Sequence, residues 1–326
     1  MALTAGILGY GERGKTLAKI VKEHILEIEL VAAADPSQDR FNEAVSAGLN
    51  TYKSAEELLD TENPQIVIVA SDPPRHCEHV LMAVERGCHI FCEKPLALSP
   101  EESDRMVAAV RKAGVVCTVD FETVFSDSFE ALKKELQREE FGKLIRFDAV
   151  DKGRPPAYDI ETCASHFLHA FMKLTGSKPV EVWSRIIVDG RRATLGDVKP
   201  VSELYPVGRT HDIGLRADSI EASYLFENGV AVRYFLAALD ERIVEEAGKS
   251  ARKAGSEFMH FVAYGTKGQV KWHQTQTGFV YRKTVPEDIL TRMNWEPVFA
   301  PEKPDASWTI PTTRLMQDFV DAIKED

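Results

Sequence analysis

The chain has 326 residues, 44% of them hydrophobic, and a formal net charge of −11. That length and apolar content suffice for two ordinary cores, and the acidic balance, with no cationic run longer than pairs such as Arg191-Arg192, excludes a broad nucleic-acid footprint. No uninterrupted apolar stretch reaches membrane-spanning length, and Met1 to Gly6 lacks a cationic segment ahead of a long apolar one, so neither a membrane span nor an export signal is expected.

The first strand-to-helix turn carries Gly9-Tyr10-Gly11-Glu12-Arg13-Gly14, a complete G-x-G-x-x-G directly after an apolar run. Gly9 allows a tight turn, Gly11 lets backbone amides approach a pyrophosphate, and Gly14 lets the next helix pack closely on its strand. All six residues are candidate cofactor contacts. Leu17, Ile20, Val21 and Ile25 keep helical spacing, and Glu29 to Ala34 reads as the next strand. It ends at Asp35, 21 residues beyond Gly14. A dinucleotide-binding fold places there the acid that binds the ribose hydroxyls and repels a 2′-phosphate, which favours NAD over NADP. Arg40, five residues on, keeps NADP open as an alternative. The plainer reading of Asp35-Pro36 is a strand-terminating turn.

Helices are expected at Arg40 to Ala47 and Ala55 to Leu59, then a strand at Gln65 to Ala70, a helix at Arg75 to Arg86 and a strand at Cys88 to Cys92. A helix capped at Ser99 runs to Ala113, and Val115 to Val119 is the last strand of this parallel rhythm. Ligands gather at the carboxyl ends of such strands, so Ser71, Asp72 and His76 after one strand and Glu93 and Lys94 after another are candidate cofactor-groove residues; helix capping is the plainer role for the first three.

The rhythm then changes, which sets an expected boundary between a dinucleotide-binding domain at 1–121 and an α+β domain at 122–326. Helices are expected around Ser128 to Arg138 and along the Phe167, Ala170, Phe171, Leu174 stripe, with a strand at Leu144 to Val150 and a loop at Asp151 to Ala157. Thr162, His166, His169 and Lys173 share another face of the second helix. Strands at 180–188, 219–226, 230–236, 258–265, 269–272 and 278–282 read as one largely antiparallel sheet, with Asn228-Gly229 and Gly265 to Gly268 as turns. Val285 to Pro311 reads as irregular and Thr312 to Lys324 as a closing helix. The five cysteines, at 77, 88, 92, 117 and 163, form no C-x-x-C pair and suit a reducing cytoplasm.

Three segments resemble the glucose-fructose oxidoreductase/inositol dehydrogenase (Gfo/Idh/MocA) family: Gly9 to Gly14; Gly87-Cys-His-Ile-Phe-Cys-Glu93-Lys94-Pro95-Leu-Ala, similar to its G-x-H-x-x-x-E-K-P-L-A; and Ala164-Ser-His166-Phe-Leu-His169 through Gly176, similar to its G-x-H-x-x-D helix. His169 stands where an Asp is usual, and Asp120-Phe121-Glu122 replaces the start of a G-F-N-R-R-F pattern. Asp159, seven residues before His166, resembles the acid of a subgroup. The resemblance implies an NAD(P)-dependent dehydrogenase acting on a sugar, cyclitol or related polyol. It further implies a Rossmann domain with a doubly wound parallel sheet (α/β) and a C-terminal domain whose open sheet forms a homodimer or homotetramer interface.

Alcohol oxidation needs a base, and Lys94 beside the nicotinamide can serve, with Glu93 at the cofactor side. His166 could hydrogen-bond the reacting hydroxyl with Asp159 orienting it, or simply be satisfied at a domain interface. A zinc site at His166 and His169 lacks an assigned third ligand, and no metal is expected. A non-catalytic NAD-binding regulator and a redox-neutral enzyme with retained NAD keep the same motifs.

Overall fold

The computed structural model describes residues 2–153, 160–199, 214–215, 217–238, 260–273, 280–284, 295–300 and 308–325. Two compact units divide the chain: residues through Glu122 together with the segment from Thr309, and most of the residues between them.

The first unit alternates strand and helix: β1 (Leu3–Leu8), α1 (Glu12–His24), β2 (Ile28–Ala34), α2 (Gln38–Ser46), β3 (Asn50–Tyr52), α3 (Ala55–Glu62), β4 (Ile66–Val69), α4 (His76–Glu85), β5 (His89–Cys92), α5 (Pro100–Ala113) and β6 (Cys117–Val119). The strands form one parallel sheet in the order β3-β2-β1-β4-β5-β6. All four residues of β4 are buried, as a parallel strand covered on both faces requires. The strand order reverses direction between β1 and β4, so the carboxyl ends of these two strands bound the crevice where such sheets take ligands. The three-residue edge strand β3 is not evident in the sequence, being too short to show alternation. Cys77, Cys88 and Cys92 are buried free thiols.

The closing helix α8 (Thr309–Glu325) belongs to this unit and not with the residues that precede it, unlike the continuous 122–326 domain expected from the sequence. Leu315, Met316, Phe319 and Val320 are its buried stripe, and Phe319 meets Phe91 of β5 edge-on at 5.8 Å. Gln317 and Lys324 reach Glu27 at 3.3 and 3.2 Å. The chain returns because the β5 face of the sheet still needs an apolar cover.

The second unit contains α6 (Asp127–Leu136), β7 (Leu144–Gly153), α7 (Ile160–Thr175), β8 (Pro179–Val188), β9 (Arg191–Arg192), β10 (Val198–Lys199), β11 (Gly214–Leu215), β12 (Ser219–Phe226), β13 (Ala231–Ala238), β14 (His260–Gly265), β15 (Gly268–His273), β16 (Val280–Thr284) and β17 (Glu296–Phe299). Nine strands form a sheet in the order β17-β16-β15-β14-β7-β13-β12-β8-β9, antiparallel except for the central β7–β13 pair. Phe147, Val232, Tyr234, Phe261 and Trp272 point to one face and pack with Phe129, Leu132, Phe167 and Phe171 of α6 and α7. Two pairs of its buried polar groups are joined: Tyr234 Oη donates to Asp151 Oδ2 at 2.7 Å and Trp272 Nε1 to Ser128 Oγ at 3.0 Å. The expected loop from Asp151 is strand through Gly153, and β17 lies in the stretch expected to be irregular, where prolines and polar residues obscure an edge strand. Among the described residues no helix is long and apolar enough to cross a membrane.

Candidate functional site

The glycine turn joins β1 to α1 at the switch point. Gly9 has φ +94°, and a Cβ there would lie 2.6 Å from the Ala70 carbonyl oxygen, so both its conformation and its neighbour exclude a side chain. A Cβ on Gly14 would lie 2.1 Å from the Gly9 carbonyl oxygen, which is the helix-to-strand closeness expected of the third glycine. A Cβ on Gly11 would meet nothing within 4 Å. Gly11 is also the N-cap of α1 and no side chain caps it. Uncapped first-turn amides beside open space make a fit for an anion such as a pyrophosphate.

Asp35 closes β2, and its carboxylate accepts from Tyr10 N at 2.8 Å and Ser37 N at 2.9 Å. The acid is thereby fixed against the glycine turn. Arg40 contacts Glu43 at 2.9 Å and Glu12 at 3.3 Å, and Lys15 contacts the same two acids at 3.1 and 2.6 Å. These are surface pairs and hold position more than they stabilise.

Arg13 turns inward. Its Nε donates to Glu93, and its Nη2 lies 2.5 Å from Asp120 Oδ2 and 3.4 Å from Thr312 Oγ1. Burial alone would weaken the cation, but Asp120, Glu93 and Glu122 more than offset it and push its pKa up. The sequence places Arg13 and Glu93 among the cofactor contacts; the structure joins them to each other. Asp120 and Glu122, both buried, complete a group of three carboxyls around one guanidinium. Burial raises Glu93, but Arg13, with Asp120 and Lys94 adding, outweighs it and holds this carboxyl below its usual range. Burial raises Asp120 well above its usual range, and the charges of Glu93 and Glu122 add to this. Burial likewise pushes Glu122 up to about 7, against the pull of Arg13. Asp120 Oδ1 is buried with no hydrogen-bond partner among the described residues, an uncompensated desolvation that favours the protonated, neutral carboxyl. No spacing rule reveals this cluster, because Arg13 is 80 residues from Glu93 and 107 from Asp120.

Next to it, Lys94 is half-buried at the carboxyl end of β5. Its backbone N–H donates to Glu93 Oε2 at 3.2 Å, and the Lys94–Pro95 peptide is cis. After β4, Ser71 Oγ lies 2.9 Å from His79 Nδ1, Asp72 is exposed without a capping bond from its side chain, and His76 is buried. His79 was not singled out in the sequence. Burial, with Arg75 adding, pushes its pKa down to about 4, so it stays neutral.

In the second unit, His166 lies on α7 with its Nδ1 3.4 Å from Thr123 Oγ1. Burial, with Lys173 adding, lowers His169 to about 4. Asp159 lies outside the described residues.

Comparison with known proteins agrees with this geometry. Residues 3–121 match the model of the Gfo/Idh/MocA family, described as an oxidoreductase family with an NAD-binding Rossmann fold. The chain is 31% identical over 206 residues to a myo-inositol 2-dehydrogenase of Thermotoga maritima, covering 59% of this chain and 61% of that one. It is 32% identical over 167 residues to a scyllo-inositol 2-dehydrogenase (NAD(+)) of Bacillus subtilis, covering 50% and 48%. The matched segments thus span about half to three fifths of these relatives. In fold, it aligns over its full length with 90% of a scyllo-inositol dehydrogenase from Lactobacillus casei, solved with NAD(H) and scyllo-inositol, at a TM-score of 0.69 and 18% identity.

Proposed function

We propose that the chain is an NAD-dependent dehydrogenase that moves a hydride between the nicotinamide and a secondary alcohol of a sugar, cyclitol or related polyol. The observation that carries this is one sheet edge holding three parts together: an open, uncapped glycine turn, an acid fixed beside it at Asp35, and Lys94 at the end of β5. The bound nicotinamide supplies the hydride acceptor. Backbone amides from Gly9 to Gly14 hold the pyrophosphate, Asp35 receives the ribose hydroxyls, and Ser71 and Asp72 flank the groove. Lys94 takes the hydroxyl proton as general base. That the relatives are named inositol dehydrogenases supports a cyclitol or sugar as substrate. A homo-oligomer built on the open face of the second unit's sheet is part of the same reading.

The test is the absorbance of reduced cofactor when NAD and a panel of inositols and sugars are added. With the substrate so identified, Lys94→Ala is expected to keep NAD affinity while losing about 10²- to 10⁴-fold in kcat. Wild-type turnover in that variant removes Lys94 from the mechanism. NAD preference is tested by titration: Asp35→Ser is expected to narrow the gap to NADP, and tighter NADP binding by the unaltered chain refutes the assignment.

A further inference from the structure

His76 opens α4 with only 1% of its surface exposed. Its Nδ1 lies 2.7 Å from the Pro95 carbonyl oxygen and its Nε2 2.9 Å from the Ser71 carbonyl oxygen. A carbonyl oxygen only accepts, so both contacts are hydrogen bonds only when both ring nitrogens carry hydrogen. One acceptor belongs to the turn that closes β4, and the other immediately follows Lys94. β4 and β5 are paired neighbours, and Glu93 N still donates to Val69 O at 2.8 Å, but beyond Glu93 the chain leaves the ladder. The imidazole ring ties the two turns together where the backbone pairing ends.

We propose that His76 is a positioning residue for Lys94: its ring bridges the Ser71 and Pro95 carbonyls and thereby fixes the Glu93-Lys94-Pro95 turn to the end of β4. A ring buried between two backbone carbonyls is turned away from any ligand, so His76 acts through the lysine and not on the cofactor. His79, one turn further along α4, holds the Ser71 hydroxyl at 2.9 Å, so Ser71 is gripped at both its side chain and its carbonyl. The clamp matters because a displacement of about 1 Å at a reacting group costs on the order of 10²-fold in rate. This inference rests on the reading of Lys94 as the base, and its test separates the two.

Two measurements need no turnover. Nitrogen-15 NMR of the intact wild-type chain is expected to show a His76 ring N–H protected from exchange with solvent; a ring with no protected N–H overturns the clamp. Hydrogen exchange of the Glu93 to Leu96 segment is expected to quicken by about tenfold or more in His76→Gln, whose amide cannot span both acceptors, while β1 and α1 stay protected. His76→Asn serves in its place if that variant does not fold. With the substrate in hand, His76→Gln is expected to lower kcat by roughly 10- to 100-fold with NAD affinity within about twofold, and to add no further loss in a Lys94→Ala background. Unchanged exchange, unchanged kcat, or full additivity with Lys94→Ala overturns the positioning role. If Lys94→Ala itself turns over normally, the base reading fails, and NMR and exchange alone decide whether the clamp exists.

Discussion

Around Arg13 three carboxyls share one guanidinium, and the competition has a measurable sign. Glu122, raised from 4.5 to about 7, keeps a proton in the folded chain that the unfolded chain releases between those values. The folded state therefore binds more protons across that window, and stability falls as pH rises through it. At about 1.4 kcal/mol per unit, the full shift is worth on the order of 3 kcal/mol. Glu93, held low by Arg13 against its burial, works in the opposite direction, so the slope and not the absolute stability is the diagnostic. Glu122→Gln carries no titrating group, and its melting temperature relative to wild type is expected to climb from pH 5 to pH 8. Parallel melting curves for the two proteins across that range would show that Glu122 is already ionised at pH 5.

At the level of elements, what could be read in advance depended on how local its cause is. The glycine turn, the Ser99 cap and the Asn228-Gly229 hairpin were legible because each arises from residues within a few positions: Ser99 Oγ accepts from Glu102 N at 3.2 Å, and Gly229 sits at φ +82°. The candidate residues Asp35 and Lys94 were legible for the same reason, being strand-end neighbours of clear apolar runs. The Arg13 cluster and the His76 clamp were not, since they join residues from different strand ends and depend on which side chains turn inward. Helix α8 was visible as a helix but not as a cover for β5, because amphipathic spacing gives a buried face without naming its partner. That partnership predicts the consequence of truncation. Phe319→Ala removes a fully buried ring against Phe91, so a loss of about 3–5 kcal/mol is expected, together with faster hydrogen exchange in β5 and little change in β12 to β15. Equal loosening of both units would mean that α8 supports the whole chain and not the first unit alone.

Among the described residues the helices of the second unit cover one face of its sheet, and the alternation of its strands sets what the other face displays. Register places Trp183 opposite Ser223, Arg185 opposite Glu221, and Phe235 opposite both Glu221 and Val150. Trp183 is 50% exposed and Phe235 42%. On the same face Arg185 meets Glu221 at 2.6 Å, and Asp148 takes two cations, Arg146 at 3.1 Å and Arg233 at 2.7 Å, which leaves one positive charge in excess. Exposed aromatics among mostly paired charges suit burial against a self-complementary surface better than permanent hydration, because paired ions arrive at an interface with part of their desolvation already compensated. A twofold arrangement places each such face on its own copy. Light scattering at micromolar concentration is expected to give a mass of at least two chains. Phe235→Asp, which replaces an exposed ring with a carboxylate beside Glu221, is expected to shift the population to single chains while leaving NAD binding by the first unit intact. A wild-type monomer at that concentration, or an Asp variant that keeps the wild-type mass, would leave this face solvent-exposed and move any self-association elsewhere on the chain.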